Sequence, residues 1–497
     1  MIRRRFIRIS SLGAAGVFFG GSLPMLTGCM KNHDSMEDMM MGEPVPVTEG
    51  SFTDALSFPG IQSNNASLVA QPTSGGLYNG NKLAGYGYQS NGILGPTLKF
   101  NSGESLSVNV QNNLPEATNI HWHGLAAPAD MDGHPTALIQ SGASFNYFFP
   151  VNQRASLYWY HPHPDKKTGE HVFKGLAGLM VVNDPEEAAL NLPSGSDEIL
   201  LVIQDKRIMA DSINYSPTDS EIMTGYMGEF VFVNGVYAPF HTVSTKQYRV
   251  RMLNGSNARV YNLALSNGAA FSIIGSDGGL LPSSETVNSV LLGPGERVDL
   301  IVDFRNNTVN DEVFLISKTF DGGDVQGTQE FKIMKFVVTL QESDSFVLPS
   351  TLSFITFLNE SAATKTRSFD ISNPHGMGHG GHITGSGHNI GGKTFDATRI
   401  DEYITAGDIE VWTFDNSMGG EPHPMHLHGQ PFQILDRTNG SGTIQPHEKG
   451  LKDTVNVMPK EIVRVIVPFG SLLGTFVFHC HNLEHEDDGM MLQYQMS

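Results

Sequence analysis

Cysteine is almost absent from this sequence. Of 497 residues only two are cysteines, Cys29 near the N-terminus and Cys480 near the C-terminus. A different chemical role is predicted for each of them below, so we expect no disulfide bond within the chain. The folded state must therefore be stabilised by hydrophobic cores rather than by covalent crosslinks.

Positive charge is also scarce. The 31 lysines and arginines are outnumbered by 51 aspartates and glutamates, and the formal net charge of −20 argues against nucleic acid as a partner. Charged residues make up only 16% of the chain, whereas glycine occurs 54 times and proline 26 times. This composition favours many short strands joined by turns, and the length suggests about three domains. The expected fold class is all-β.

The first 29 residues have the composition of an export signal. Arg3-Arg4-Arg5 resembles the start of a twin-arginine signal, and the apolar stretch that follows ends in Leu26-Thr27-Gly28-Cys29, which resembles a bacterial lipobox. We expect Cys29 to carry a lipid that anchors the protein to a membrane, in the periplasm or cell envelope. An ordinary cleaved signal and an uncleaved anchor are the alternatives. Residues 30–50 are rich in methionine and predict a flexible tether, with collection of soft metal ions as an alternative role.

Metal-ligating residue types are concentrated near the C-terminus. Cys480 lies within twelve residues of sequence that also contain His479, His481, His485 and Met490. The preceding apolar run predicts a strand, in which Cys480 points to one face and His479 and His481 to the other. One strand could therefore contact two metal sites. A thiolate, two imidazoles and a thioether are the ligands of a blue-copper site, and Cys480, His485 and Met490 supply three of these four groups.

The motif His-x-His occurs four times and provides eight imidazoles. His423 remains as the second imidazole for the site that contains Cys480. Buried structural histidines are the alternative interpretation. A single pair could arise by chance among nineteen histidines, but four pairs with a cysteine inside the last one are a far more specific pattern. The pairs are His121 and His123, His161 and His163, His426 and His428, and His479 and His481.

These motifs, in this order and with Cys480 inside the last one, resemble the multicopper oxidases, which include laccases, bilirubin oxidases and bacterial copper efflux oxidases. The resemblance extends from about residue 50 to the C-terminus. It implies three consecutive cupredoxin-like Greek-key β-barrel or sandwich domains, and four copper ions that couple four one-electron substrate oxidations to the reduction of dioxygen to water. The implied ligands are His423, Cys480, His485 and Met490 for the type 1 copper, His121 and His428 for the type 2 copper, and His123, His161, His163, His426, His479 and His481 for the two type 3 coppers.

The chain after the leader divides into three predicted domains, 51–187, 188–342 and 343–497, with a Gly/His-rich loop at 373–392 in the third. The middle domain contains one histidine, His241, and no His-x-His pair. An eight-imidazole centre can therefore form only where the first and third domains meet. The loop is too rich in glycine to pack a core, so we expect either a disordered surface loop or an accessory metal-collecting loop.

Two carboxylates are candidates for proton delivery, since the reduction of dioxygen to water consumes protons. Asp132 and Glu486 lie where the efflux-oxidase branch of the family carries its proton-relay carboxylates. Solvated surface acids are the alternative for both residues. Asp487 and Asp488 are expected to be surface acids.

The reductant is less clearly indicated. The motif order resembles most closely the copper efflux oxidases, which oxidise Cu(I). However, the Met-rich insert of that branch is replaced here by the Gly/His-rich loop, and Gly419 stands where that branch carries an aspartate. We expect Cu(I) as the favoured reductant, with a laccase-like phenol oxidase and a non-catalytic copper-sequestering protein as alternatives. The expected partners are dioxygen, Cu(I) or a phenol, and a membrane through Cys29, for a monomeric protein.

Overall fold

The structure is a computed structural model that describes residues 44–89, 92–323, 325–372 and 387–497. The predicted export signal with Cys29, most of the tether and the first part of the Gly/His-rich loop, residues 373–386, lie outside these residues. Within the described ranges, no helix is long and apolar enough to cross a membrane.

Strands dominate the described residues, which confirms the all-β class. Up to residue 197 they comprise β1 Ile61–Gln62, β2 Asn65–Tyr78, β3 Asn81–Gly87, β4 Thr97–Asn101, β5 Ser105–Asn112, β6 His121–His123, β7 Ser144–Pro150, β8 Ser156–His161 and β9 Gly178–Asn183, with helices α1 Thr168–Phe173 and α2 Pro185–Ala188 and a 3-10 turn at Gly195–Asp197.

The middle of the chain continues the same pattern. It contains β10 Glu198–Lys206, β11 Ile208–Met209, β12 Ser212–Ile213, β13 Phe230–Val233, β14 Val236–Tyr237, β15 Phe240–Ser244, β16 Gln247–Asn254, β17 Tyr261–Leu265, β18 Phe271–Ser276, β19 Gly279–Val287, β20 Val290–Leu292, β21 Arg297–Asp303, β22 Glu312–Ser317 and β23 Phe331–Leu340, with helix α3 Asp219–Thr224.

The last part contains β24 Lys365–Asp370, β25 Glu402–Ile404, β26 Ile409–Asp415, β27 His423–Leu427, β28 Gln433–Asn439, β29 Thr454–Val457, β30 Glu461–Pro468, β31 Gly474–Cys480 and β32 Met491–Met496. Helix α4 spans Leu483–Asp487, and 3-10 turns lie at Glu360–Ala362 and Pro446–Glu448.

Each third of the chain builds its own hydrophobic core. In the last third, four-stranded sheet β24-β26-β30-β28 and five-stranded sheet β25-β32-β31-β27-β29 both contribute, for example through Phe414 on β26 and Phe478 on β31. The first third has a separate core that includes Trp122. Val47 and Leu56, which precede the first strand, are buried in the core of the middle third. The C-terminal end of the predicted tether therefore packs against the middle of the chain.

Strand pairing brings the His-x-His motifs together two by two. Antiparallel β6 and β8 place His121 opposite His161. Antiparallel β27 and β31 place His426 opposite His479, and Met425 opposite Cys480. The predicted alternation along β31 is present, because Phe478 and Cys480 face the core of the last third. His479 lies on the opposite face, which leaves its imidazole available to a different site.

Candidate metal centre

One thiol and two imidazoles converge in the last third of the chain. His423 begins β27, Cys480 ends β31 and His485 lies on α4. Cys480 Sγ lies 3.5 Å from His423 Nδ1 and 3.6 Å from His485 Nδ1, and the two Nδ1 atoms are 3.2 Å apart. Met490 is buried beside them, and its backbone bonds to both Cys480 and His485. These are the four residues predicted for the type 1 site.

The protonation of this group depends on what binds there. Burial raises the pKa of the Cys480 thiol well above its ordinary value, and the carboxylates of Glu486 and Glu484 raise it further. Burial lowers the pKa of His423 to about 3, so that its imidazole is neutral. A buried thiolate therefore needs a cation beside it, and a metal ion deprotonates a coordinating thiol.

The eight imidazoles of the His-x-His pairs form a second, larger cluster between the first and last thirds of the chain. All eight side chains are buried. His163 Nε2 and His428 Nε2 each lie 3.1 Å from His479 Nε2. Two pairs of rings stack across the boundary at centroid distances of 3.7 Å, His121 with His428 and His123 with His426. Burial lowers the pKa of six of the rings well below the ordinary value, namely His123, His161, His163, His426, His428 and His481.

Hydrogen bonds orient five of these rings. A carbonyl oxygen can only accept, so each Nδ1 that faces one carries the proton and leaves its Nε2 lone pair for a ligand. Carbonyls accept from Nδ1 of His121, His161, His426 and His479 at 2.8–3.0 Å. Nδ1 of His428 donates to the Asp132 carboxylate at 2.7 Å.

The ring of His123 is oriented the other way. Its Nε2 lies 3.1 Å from both Asp453 Oδ1 and Thr454 Oγ1. Its Nδ1 is buried and, within the described part of the chain, has no hydrogen-bond partner. His161 Nε2 and both ring nitrogens of His481 are likewise buried without such a partner among the described residues. Burying a polar nitrogen without a partner costs free energy, so these nitrogens are suited to bind a ligand.

Comparison with known proteins identifies the family. Three sequence models described as multicopper oxidase match residues 81–187, 187–336 and 368–497. The multicopper oxidase mco of Staphylococcus haemolyticus is 35% identical over 442 residues, which cover 87% of this chain and 88% of that protein. The chain belongs to the multicopper oxidase family.

Solved structures of multicopper oxidases share the fold. The laccase-like multicopper oxidase CueO of Ochrobactrum sp., which has oxidase activity towards lignin model compounds, matches with a TM-score of 0.80 and 31% identity over 89% of this chain and 100% of that one. The metallo-oxidase from Campylobacter jejuni matches with a TM-score of 0.75 and 28% identity over 92% and 96%. The predictions of three cupredoxin-like domains, copper cofactors and an oxidoreductase that uses dioxygen are confirmed.

The residues of this multicopper oxidase suit copper. Neutral imidazoles together with one thiolate form a donor set that suits copper. Harder cations favour oxygen ligands instead. The imidazoles lie in groups whose ligand atoms are within 4.8 Å of one another, for example His121 with His426 and His428, and the same holds for His423, Cys480 and His485.

Both carboxylates predicted to deliver protons touch the imidazole cluster. Asp132 accepts from His428 through its carboxylate, and its backbone carbonyl accepts from His121. Glu486 lies with Oε1 3.3 Å from His163 Nδ1 and Oε2 3.1 Å from His479 Nδ1. Both acids are at most 2% exposed, so neither is a solvated surface group.

Helix α4 contacts every third of the molecule. Glu484 accepts hydrogen bonds from Tyr215 OH, Tyr226 N and Asn257 Nδ2 of the middle third, and burial raises its pKa to about 7. Asp487 accepts from the first two backbone amides of α1 in the first third. Asp488 accepts from His388. Asp487 and Asp488 are only partly exposed and are held by these hydrogen bonds, which the expectation of surface acids did not include.

Sequence reasoning missed the support beneath His123. Arg297 of the middle third donates to both carboxylate oxygens of Asp453, at 2.7 and 2.5 Å, and the same carboxylate lies against His123. Position 295, also in the middle third, requires glycine, because its φ is +82° and a Cβ there would lie 3.0 Å from the His481 ring. No motif connects residues so far apart in sequence, so no sequence signal could have found this contact.

Proposed function

We propose that this multicopper oxidase binds four copper ions and favours Cu(I) as its reductant. The single observation that supports the copper count is the convergence of a thiol-containing group and a separate eight-imidazole cluster. The proposed ligands are His423, Cys480, His485 and Met490 for type 1, His121 and His428 for type 2, and His123, His161, His163, His426, His479 and His481 for type 3.

When bound, the copper ions supply one-electron chemistry, taking electrons singly from the reductant and delivering four to dioxygen. The protein connects the two centres through one short segment, since Cys480 lies between His479 and His481. The Asp132 carboxylate holds the ring of His428 through Nδ1, and Asp453, which is paired with Arg297, holds the ring of His123 through Nε2. In each ring the other nitrogen is left for a copper ion.

Protons are proposed to reach the cluster through Asp132 and Glu486. Each carboxylate is buried and lies within hydrogen-bonding or ion-pair distance of an imidazole Nδ1–H. From these positions the carboxylates can hold a proton close to the water-forming centre, where a buried cluster otherwise offers few donors.

The burial of His485 favours Cu(I) over phenols. This imidazole is fully buried, which hinders direct contact with a bulky organic reductant. The Campylobacter jejuni relative is a metallo-oxidase. A laccase-like phenol oxidase is the alternative, which the Ochrobactrum relative supports through its activity on lignin model compounds. Copper sequestration without catalysis is the second alternative.

The remaining proposals concern organisation. The domains are proposed to span 51–187, 188–342 and 343–497. An export signal at 1–29, a tether at 30–50 and a lipid on Cys29 would place a monomeric enzyme on a membrane in the periplasm or cell envelope.

Oxygen uptake by copper-loaded protein tests the reductant. We expect about four coppers per chain by metal analysis and faster uptake with Cu(I) than with 2,6-dimethoxyphenol. Faster uptake with the phenol would instead establish the laccase alternative. Four bound coppers without uptake on either reductant would contradict the oxidase for these substrates and favour sequestration.

A further inference from the structure

One histidine of the predicted Gly/His-rich loop is not at the surface. His388 is 2% exposed, and its ring stacks on that of His485 with a centroid distance of 3.8 Å and an angle of 16°. The ring centroid of His423 is 6.5 Å away. His388 therefore lies flat against one type 1 ligand and close to the other.

The position of His388 is fixed from two sides. Its Nδ1 lies 3.0 Å from Asp488 Oδ2, and its backbone amide donates to the same oxygen at 2.8 Å. Asp488 caps the C-terminus of α4, the helix that carries His485. On the other side, fully buried Ile390 belongs to the hydrophobic core of the third domain, and Gly391 N donates to Asp370 O at 2.7 Å.

The in-plane edge of His485 is covered as well. Its Nε2 lies 3.2 Å from the backbone carbonyl of Met223, on α3 of the middle domain, and 3.0 Å from Asn482 Nδ2. His388 thus occupies the ring face while α3 occupies the outer edge. An aromatic reductant on this face would need the space that His388 already fills, because aromatic pairs pack with ring centroids roughly 4.5–7 Å apart.

We propose that His388 is a specificity-determining residue that keeps aromatic reductants off the face of His485. This inference rests on the proposed function, in that His485 is taken as a type 1 ligand. Because α3 covers the outer edge of His485, the ring face under His388 is the side on which a planar phenol could stack, whereas a small cation needs less space. The Asp488 carboxylate, whose side chain is 25% exposed, leaves a negative group beside His388 that favours the approach of cations.

The test compares three variants of the full-length protein. His388→Ala opens the face of His485, and His388→Phe keeps a ring over it without the bond to Asp488. His241→Ala is the control, because His241 likewise packs against an aromatic ring, Phe58, although edge-on and in the middle domain, away from His485.

The first measurement is hydroxyl-radical footprinting of the copper-free proteins, with mass spectrometry to locate oxidation. We expect oxidation of His485 to rise several-fold in His388→Ala and to stay at the wild-type level in His388→Phe and His241→Ala. Equal labelling of His485 in wild type and His388→Ala would overturn the proposal, because it would show that His388 does not cover the ring.

The second measurement is the ratio of kcat/KM for 2,6-dimethoxyphenol to that for Cu(I) in the copper-loaded proteins. His388→Ala should raise this ratio about tenfold, whereas His388→Phe should leave it within about twofold of wild type. An unchanged ratio in His388→Ala, or an equal rise in His388→Phe, would contradict the proposal. Should His388→Ala fail to fold, Asp488→Ala releases the same ring and should raise the ratio by a smaller factor.

The two proposals fail differently. If wild-type protein shows neither copper–thiolate absorption nor oxygen uptake, the proposed function is wrong, yet footprinting still decides whether His388 covers His485. If wild type is active and His485 is already labelled as strongly as in His388→Ala, only the specificity proposal is wrong.

Discussion

The two candidate copper centres differ in how they are built. The type 1 group draws its four residues from one domain and from fewer than seventy residues of sequence, His423 to Met490. The eight-imidazole cluster draws four rings from the first domain and four from the third, and the middle domain supports it through Arg297. The first centre therefore takes all its ligands from one domain, whereas the second forms only where the first and third domains meet.

Cys480→Ser should have the largest effect and should separate the two centres. A serine oxygen cannot provide the soft thiolate, so the intense visible copper–thiolate absorption should disappear and oxidase activity should fall by about a thousandfold or more. The imidazole cluster should keep its copper, because none of its ligands changes. Absorption spectroscopy, copper analysis and electron paramagnetic resonance check both statements, and loss of all copper would contradict the independence of the centres.

Glu486→Gln should impair only the dioxygen side. The amide keeps the shape but cannot deliver a proton, so we expect steady-state oxygen uptake to fall about a hundredfold. Anaerobic bleaching of the visible absorption by the reductant should keep its wild-type rate. Stopped-flow spectroscopy measures both steps, and slower bleaching would show that Glu486 acts on the type 1 centre instead.

Asp453→Asn should weaken the cluster and spare the type 1 group. It removes the charge that pairs with Arg297 and supports His123, so copper affinity at the cluster should drop about 10–100-fold. The visible absorption should remain. Asp436→Asn is the matched control, since Asp436 pairs with Arg464 in the same domain. Both of these side chains are about one-third exposed, and such an exposed pair contributes only about 0–1 kcal/mol to stability. Chelator titration distinguishes the two variants.

Lys206→Met should change stability without changing either centre. Lys206 is fully buried, donates to Val172 O at 3.3 Å, and burial lowers its pKa to about 7. Between pH 7 and the ordinary pKa of 10.5, the unfolded chain binds more protons than the folded one, so this group makes stability rise with pH in that window. The rise should be about 2–4 kcal/mol in wild type and absent in the variant.

Urea unfolding of copper-free protein at pH 7 and pH 9 measures the contribution of Lys206. The same slope in both proteins would show that Lys206 is charged in the folded state. Copper content and visible absorption of Lys206→Met should match wild type, because the lysine contacts α1 rather than any predicted ligand.

The local parts of this arrangement could be predicted from sequence. The apolar run before Cys480 predicts a strand, and strand alternation places Cys480 and His479 on opposite faces, as found. Because the middle domain has no His-x-His pair, the sequence predicts that the first and third domains meet at the imidazole cluster. Their rings do stack on each other there. The first inference uses the two-residue periodicity of a strand, and the second uses only the positions of the motifs along the chain.

The contacts made by tertiary packing could not be predicted. Asp453 reaches His123 across 330 positions, and only the folded domains bring them together. His388 lies in a segment whose glycine content argues against burial, yet Ile390 and Asp488 hold it over His485. Nothing in the sequence distinguishes Glu484 from an exposed acid on a short helix, because its three partners lie in the middle domain.

Anomalous diffraction at the copper edge, from crystals of the copper-loaded protein, tests the central claim most directly. The account predicts one copper among His423, Cys480, His485 and Met490, and three coppers among the eight imidazoles between the first and third domains. A single copper site, or coppers bound away from these residues, would contradict it.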